Sequence, residues 1–355
     1  MGKSKRASII EAIGSALLFG SSAPVAKLLL GSIAPVPLAA LFYLGSGLGL
    51  LIIKLLKKLP GGRDAEAGIK KDDVKWLLGA LLAGGVAAPV ILMISLKNTP
   101  GTTASLLLNF EGVATTLIAA LAFKEAVGKR VAAAIACITL ASIILSWDPS
   151  GGLNFSLGAL GILGACTLWG IDNNFTRNIS AKDPVSIVAV KGLGAGMVSL
   201  VLSLIAGEQL PPLFTALGAM GLGFVFYGLS IVLFILAMRG LGSSRTSAYY
   251  GTAPFAGVII SLVLFGETPG PVFFISLPVM AAGAVLLLKE NHSHTHVHEH
   301  LVHEHRHNHT DGHHTHTHEG LDPALEHSHV HEHEAMEHCH PHAPDIHHRH
   351  SHSHR

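Results

Sequence analysis

Residues 35–56 read PVPLAALFYLGSGLGLLIIKLL, and residues 184–206 read PVSIVAVKGLGAGMVSLVLSLIA. Each stretch is long enough to cross a bilayer as a helix, because about 20 mostly apolar residues suffice. The two stretches share a pattern of one proline and three glycines. It consists of Pro37 and glycines 45, 47 and 49 in the first stretch, and of Pro184 and glycines 192, 194 and 196 in the second. Since small residues let membrane helices approach closely, we interpret both glycine runs as packing surfaces and not as phosphate-binding loops.

The same length criterion predicts ten spanning helices, five in each half of the chain. A charged fraction of 13% and a mean hydropathy of +0.49 are typical of a membrane protein that spans the bilayer several times. We therefore predict an all-α integral membrane fold with a first five-helix repeat over residues 1–147, a second over 148–289 and a disordered tail over 290–355. The predicted spans are 7–30, 35–56, 74–96, 102–123, 131–147, 157–178, 184–206, 213–238, 247–265 and 272–288.

The two halves also share a motif in their first spans. Phe19-Gly20, followed seven residues later by Lys27, recurs as Trp169-Gly170 followed seven residues later by Arg177. Because five spans is an odd number, two such repeats sit in opposite orientations in the membrane. This inverted arrangement predicts a substrate path at the interface between the halves, near the middle of the bilayer, and suits alternating access.

The positive charges of the first 291 residues are distributed unevenly between the predicted loops. With the N-terminus inside, eighteen Lys and Arg residues fall on the inner side, whereas Lys97 lies outside and Lys27 near the outer end of the first span. This bias predicts that both termini are cytoplasmic and that the protein lies in the cell (inner) membrane. A cleavable signal peptide is the alternative for the first segment; Pro24, Lys27 and the nine later spans disfavour it.

These motifs resemble those of the drug/metabolite transporter superfamily, specifically its EamA-type permeases. The resemblance covers residues 7 to 289 and rests on the aromatic-Gly motifs, the run Asn109-Phe110-Glu111-Gly112, Phe-x-Glu at Glu125 and Glu267, and Pro254. It implies a ten-helix inner-membrane permease, most often an exporter of small organic solutes. Such permeases often carry a basic residue early in the second span, where this chain has residues 42–44, FYL; only the second half has one, Lys191.

Charged groups within the bilayer are costly, so each one needs a reason. Glu111 lies near mid-depth of the fourth predicted span beside Asn109, and we expect it to exchange a proton for substrate; a permanently paired carboxylate is the alternative. Lys191 could pair with Glu111, hold an anionic substrate group, or extend to the cytoplasmic interface. We expect Glu125 and Glu267, at the ends of the fourth span of each half, to be structural.

Other polar and aromatic side chains in the spans complete the predicted substrate and proton pathway. Asp172, Asn173 and Asn174 form a cluster that could line a water-filled cavity or lie nearer the interface. Tyr227, Tyr249 and Tyr250 combine a ring with a hydroxyl group and could contact an organic solute, although aromatic packing is the commoner role.

All 25 histidines of the chain lie between His292 and His354. Their alternate spacing places histidines on one face of an extended chain, and neutral imidazole is a preferred ligand of Zn, Ni, Cu and Co. We expect this tail to be disordered without metal, because its composition cannot bury a core. The predicted metal ligands are His294, His296, His298, His300, His303, His305, His307, His309, His327, His329, His331, His333, His338, Cys339, His340 and His342.

The sequence therefore predicts a secondary transporter that exports a small organic metabolite or drug and needs no cofactor for transport. The expected partners are the lipid bilayer, the solute and a divalent metal at the tail. We expect no nucleic-acid partner, and a second copy of the chain could form a homodimer with it. One alternative is an exporter of Ni, Co or Zn whose tail captures the cation, and another is a membrane-anchored metal buffer. Nothing in the sequence indicates an enzyme, since neither a phosphate loop nor a nucleophile motif is present.

Overall fold

The computed structural model describes residues 5–57, 67–123, 127–148, 154–179, 182–241, 246, 249–288, 293–297, 301–307, 327–333 and 337–341. Seven helical segments in this part of the chain are long and apolar enough to cross a membrane. Two shorter apolar helices, Ala253–Phe265 and Pro271–Leu286, follow near the end of the membrane body. The molecule is therefore a helical, multi-pass integral membrane protein.

The described residues of the first half form seven α-helices, and two of the predicted spans are interrupted. A single turn of 3₁₀-helix, Lys71–Asp73, leads into the third span, and a π-helical turn, Leu81–Ala87, divides that span into two α-helices. The fourth span is divided by a turn at Leu108 and Asn109. The helices are α1 Lys5–Leu29, α2 Pro35–Lys57, α3 Val74–Ala80, α4 Ala88–Lys97, α5 Gly101–Leu107, α6 Phe110–Phe123 and α7 Lys129–Ser146.

The second half repeats this organisation. Two short paired strands, β1 Trp147–Asp148 and β2 Asn154–Phe155, precede it. A second π-helical turn, Phe224–Leu229, lies between α10 and α11. The helices are α8 Leu157–Arg177, α9 Pro184–Ile205, α10 Leu213–Gly223, α11 Ser230–Leu241, α12 Ala253–Phe265 and α13 Pro271–Leu288.

Helices α2 and α9 cross at backbone contact distance, which confirms that the two glycine runs are packing surfaces. A Cβ atom added to Gly192 would lie 2.7 Å from the backbone nitrogen of Gly47, and one added to Gly47 would lie 2.5 Å from the nitrogen of Leu193. Only glycine permits this approach, and close packing is the main force that joins helices in lipid.

Charged side chains stabilise the ends of helices that are distant in sequence, and one of these contacts joins the two halves. Glu267, after α12, accepts hydrogen bonds from the backbone N–H groups of Gly101 (2.6 Å) and Thr102 (2.8 Å) and from the Thr102 hydroxyl (2.7 Å). It thereby satisfies orphan donors at the start of α5, the structural role predicted for it. Lys27 donates to the carbonyl oxygens of Leu96 (3.1 Å) and Thr99 at the end of α4.

An ion pair joins α2 to the start of α9. Lys54 Nζ lies 2.6 Å from Asp183 Oδ2, and Asp183 also accepts hydrogen bonds from the Ser186 hydroxyl and the Val185 N–H. Burial opposes ionisation of Asp183, but its hydrogen bonds to Lys54 and Ser186 outweigh burial and lower the pKa of this carboxyl group. The pair therefore stays ionised at neutral pH and ties the two halves together at this end of the bundle.

The first helix of each half packs against the other half. Helix α1 contacts α11 and α12, whereas α8 contacts α4 and α6. Helix α7 packs against α13, and α2 against α9. The core between these helices is dominated by small and aliphatic side chains, among them Ala88, Leu107 and Ile138, which are fully buried.

Four strands are described in the tail, where the composition predicts disorder without metal. They are β3 Ser293–Val297, β4 Leu301–His307, β5 His327–His333 and β6 Glu337–Pro341, and they pair antiparallel as β3 with β6 and β4 with β5. An extended backbone that pairs in this way satisfies its own N–H and C=O groups without a hydrophobic core. Disorder of the tail without metal stays a prediction.

Candidate functional site

The interrupted helices of the two halves correspond in position. The third helix of each half contains a π-helical turn, at Leu81–Ala87 and at Phe224–Leu229. The fourth helix of each half is broken by a turn, at Leu108–Asn109 in one half and at Gly251–Thr252 in the other. Interrupted helices in corresponding positions of two halves are a pointer to a transporter's binding site, because they leave backbone groups free for hydrogen bonds.

Asp172 and Lys191 form an ion pair between α8 and α9. The Lys191 ammonium group donates to Asp172 Oδ2, while the other oxygen, Oδ1, accepts a hydrogen bond of 2.9 Å from the Thr176 hydroxyl. The Asp172 side chain is only 5% exposed. A buried carboxylate is costly without compensation, and Lys191 supplies it. This partner differs from the alternatives considered from sequence, in which Lys191 paired with Glu111 or bound substrate.

Glu111 lies in the first turn of α6, immediately after the break in the fourth helix. Its Oε1 atom accepts a hydrogen bond of 2.9 Å from the Asn173 amide, which also donates to the Thr115 hydroxyl at 3.1 Å. Asn173 is exposed and Glu111 is partly buried. Asn173 is an uncharged partner, unlike the ammonium group that faces Asp172.

The π-helical turn of the first half adds a backbone acceptor to the same region. The carbonyl oxygen of Gly84 accepts hydrogen bonds from the Tyr43 hydroxyl (2.8 Å) and from the Trp169 indole N–H (3.0 Å). A Cβ atom at position 84 would overlap the carboxyl group of Asp172. Gly84 therefore allows a helix of the first half to approach the ion pair of the second.

Aromatic side chains from both halves cover this polar group. Tyr43 stacks on Tyr227 with ring centroids 5.4 Å apart, and Phe19 packs at 5.3 Å from Tyr250. Phe19 also meets Tyr227 edge to face at 6.3 Å. The Tyr43 hydroxyl donates to the Gly84 carbonyl beside Asp172, so the rings adjoin the polar group.

The EamA-like transporter family matches the chain twice, over residues 6–147 and 156–289. The chain belongs to the EamA-like transporter family. It is 28% identical over 293 residues to an uncharacterized transporter of Methanothermobacter thermautotrophicus, a match that covers 78% of this chain and 85% of that protein. It is 25% identical over 282 residues to the uncharacterized inner membrane transporter YedA of Escherichia coli K12, covering 76% and 87% of the two chains. These names indicate a membrane transporter.

A solved crystal structure of a protein is similar to this EamA-like transporter in fold. The TM-score is 0.57 at 20% sequence identity, and the match covers 79% of this chain and 94% of that one. At this identity the similarity concerns the fold alone. The helical body thus has a counterpart among known structures.

The remaining side chains of the predicted pathway have local hydrogen bonds. The Asn174 amide donates to the carbonyl oxygens of Gly170 (2.8 Å) and Thr115 (3.0 Å), which ties α8 to α6. The Asn109 amide donates to the Leu106 carbonyl at 3.1 Å, across the break in the fourth helix. Both amides therefore support the backbone near Glu111.

Tyr249 and Tyr250 of this EamA-like transporter have different surroundings. The Tyr249 carbonyl oxygen accepts a hydrogen bond from the Thr252 N–H at the second helix break. The Tyr250 ring packs at 4.8 Å from Phe234 as well as against Phe19. Tyr250 thus belongs to the aromatic cover, and Tyr249 supports the break.

Several residues of the site were absent from the predicted pathway. Tyr43, Gly84, Thr115 and Trp169 all form hydrogen bonds to its backbone or side chains. The Gly84-Gly85 pair inside an apolar span is a signal that could have revealed the interruption. Thr115, one turn after Glu111, could have been found from helical spacing.

Most of the predicted metal ligands in the tail of this EamA-like transporter lie on the four described strands. The backbone register places His303 opposite His331 and His305 opposite His329. His298, His300, His309 and His342 lie outside the described residues, as does Glu125. Among the described residues, no group of three or more His, Cys, Asp or Glu side chains is placed to hold a metal ion.

Proposed function

We propose that the protein is a ten-span permease with two inverted five-helix halves and cytoplasmic termini, which exports a small organic solute by alternating access. The three predicted spans beyond the seven long ones correspond to helices α8, α12 and α13. Reciprocal packing supports the inversion, because the first helix of each half contacts the third and fourth helices of the other. The excess of Lys and Arg in the predicted inner loops supports the orientation.

The observation that carries this proposal is the convergence of helix interruptions on one polar cluster. A π-helical turn provides the Gly84 carbonyl, a helix break precedes Glu111, and α8 contributes Asp172 and Asn173 to the same place. Polar groups at membrane depth mark substrate and ion pathways by default. The cluster lies between helices of both halves, where a relative movement of the halves would expose it to one side and then to the other.

Glu111 is the group that we assign to proton coupling. The ionised carboxylate binds the solute while the cluster faces the cytoplasm, and a proton taken up from outside replaces the solute there before the return step. Uptake of one proton on a Glu111 oxygen neutralises the carboxylate, and its release to the cytoplasm restores the charge. The titratable or charged groups that act on Glu111, or on which it acts, are Tyr43, Cys166, Asp172, Lys191, Tyr227 and Tyr250.

The tail binds a divalent metal in this proposal and adjusts transport or abundance to cytosolic metal. Alternate histidines over residues 292–354 support it, because imidazole is the ligand that Ni, Zn, Co and Cu share. The strand register, which sets histidines opposite one another, is compatible with shared binding. Metal is a ligand of the tail here, and the organic solute is the transported species.

Proteoliposomes containing the purified full-length chain test the proposal. We expect an inward proton gradient to drive efflux of at least one tracer among a set of amines, amino acids and carboxylates. Glu111→Gln should abolish gradient-driven flux, because the amide cannot release a proton, while the control Asp72→Asn, at an exposed loop carboxylate, should retain it. Equal gradient-driven flux in Glu111→Gln and the parent would overturn the coupling role.

A second experiment separates organic-solute export from metal export. The same liposomes are loaded with tracer Ni²⁺, Co²⁺ or Zn²⁺, using the full chain and a chain that lacks residues 292–355. We expect metal bound to the full chain, no metal flux, and organic-solute flux that survives the deletion. Metal efflux that requires Glu111 and weakens without the tail would replace this proposal with a metal exporter.

A further inference from the structure

The charge of the site decides which solutes it can hold. The charged side chains that act on Glu111 are Asp172 and Lys191. Lys191 is already committed to Asp172 by a direct ion pair. Two carboxylates thus share one ammonium group, which leaves one negative charge within this described cluster. An anionic solute would add repulsion in a medium of low dielectric constant, whereas a single positive charge would balance the site.

The direct partner of Glu111 leads to the same conclusion. Asn173 donates one hydrogen bond to Oε1 and shares that amide group with Thr115. A carboxylate has about four acceptor positions, so a ligand donor such as an ammonium group can bind beside the amide. Asn173 is exposed and Glu111 is only partly buried, which leaves this side of the carboxylate approachable.

The aromatic side chains indicate the chemistry of the part of the ligand that does not contact Glu111. Phe19, Tyr227 and Tyr250 form a continuous set of rings, with centroid distances of 5.3 to 6.3 Å, on elements of both halves. Tyr43 extends the set by stacking on Tyr227. Aromatic faces attract cations and also accept apolar or aromatic bodies by stacking. A site with one unbalanced carboxylate beside such rings is complementary to an apolar body with a positive head.

We propose that the site takes monovalent organic cations with an apolar or aromatic body, such as protonated amines, bound by Glu111 and covered by Tyr227, Tyr250 and Phe19. This inference rests on the proposed transport function and names its substrate class. Because solute and proton both neutralise Glu111, they compete for the same carboxylate. The ion pair of Asp172 with Lys191 remains intact when the solute is bound. Because Asp172 neutralises Lys191, the ammonium group of Lys191 repels the cationic solute less than an unpaired lysine would.

Matched probes test the charge requirement directly. 2-Phenylethylammonium and 3-phenylpropionate share an aromatic body and differ in charge, and 2-phenylethanol is the neutral control. Each is titrated into the purified full-length chain, and binding is measured by isothermal titration calorimetry. Loss of binding in Glu111→Gln shows that binding requires this carboxyl group. We expect the cation to bind at least tenfold more tightly than the other two probes.

The aromatic part of the inference has its own variants. Tyr250→Phe keeps the ring and should bind 2-phenylethylammonium as the parent does, whereas Tyr250→Leu should bind it about three- to thirtyfold more weakly. Equal binding by the leucine variant would overturn the role of the rings. Thermal unfolding of both variants shows whether a loss of binding reflects a loss of folded protein.

Transport measurements distinguish failure of this inference from failure of the proposed function. Gradient-driven efflux of 3-phenylpropionate or of an amino acid, without binding or flux of the cation, would overturn the cation assignment while transport stands. Absence of gradient-driven flux for every tracer, with an intact fold, would overturn the transport proposal itself. Efflux of 2-phenylethylammonium that Glu111→Gln abolishes supports both.

Discussion

Replacing Gly192 with alanine tests whether α2 and α9 hold the two halves together at backbone contact distance. A Cβ atom at position 192 would lie 2.7 Å from the nitrogen of Gly47 and 2.9 Å from both the Gly47 Cα atom and the Tyr43 carbonyl oxygen. All three are backbone atoms of α2, which cannot rotate away. Because carbon atoms pack at roughly 3.5 Å or more, the helices would have to separate by roughly 0.8 Å.

The expected loss of stability follows from two opposing effects. Overpacking of a close interface costs about 1 to 3 kcal/mol, and rigid backbone neighbours place Gly192→Ala near the upper end. Alanine is about 1 kcal/mol better than glycine inside a helix, which offsets part of that cost. We therefore expect a net loss of about 2 kcal/mol in the free energy of unfolding.

Gly164→Ala is the matched control, because a Cβ atom there meets nothing within 4 Å. It carries the same gain in helix propensity without the clash, so the two variants should differ by about 3 kcal/mol. The assay is unfolding of the purified protein in mixed micelles with increasing denaturing detergent, followed by tryptophan fluorescence. If Gly192→Ala is as stable as Gly164→Ala, the proposed contact between α2 and α9 is refuted.

Three further predictions concern charged side chains. Glu267→Gln should lose about 2 kcal/mol, since charge-assisted hydrogen bonds to the start of α5 disappear, whereas Asp72→Asn should change little in the same unfolding assay. The lowered pKa of Asp183 contributes stability that is fully present above the unfolded-state pKa of about 3.9. This stability is lost as pH falls through the lower folded-state pKa. Lowering the pH through this range should therefore reduce the free energy of unfolding more in the parent than in Asp183→Asn. Lys191→Met should reduce the yield of folded protein by leaving a buried carboxylate uncompensated, and adding Asp172→Asn should restore folding; equal yields from the single and double variants would contradict this pairing.

The sequence predicted the elements that depend on length and hydropathy. The seven long membrane helices, the close glycine crossing and the structural role of Glu267 follow from patterns along the chain. The partner of Lys191 could not be predicted, because Asp172 and Glu111 are both carboxylates in apolar spans and only tertiary packing decides between them. The π-helical turns could not be predicted from hydropathy, because they leave the hydropathy of a span unchanged.

Helix interruptions and polar side chains occur together here for an energetic reason. A π-helical turn or a broken helix leaves backbone groups without their regular partners, and lipid offers none in exchange. The Gly84 carbonyl accepts hydrogen bonds from Tyr43 of its own half and from Trp169 of the other, so contact between the halves contributes one of its two partners. A movement that separates the halves would break the hydrogen bond from Trp169, which water or solute would have to replace. The backbone at Gly84 therefore couples occupancy of the site to the relative position of the two halves.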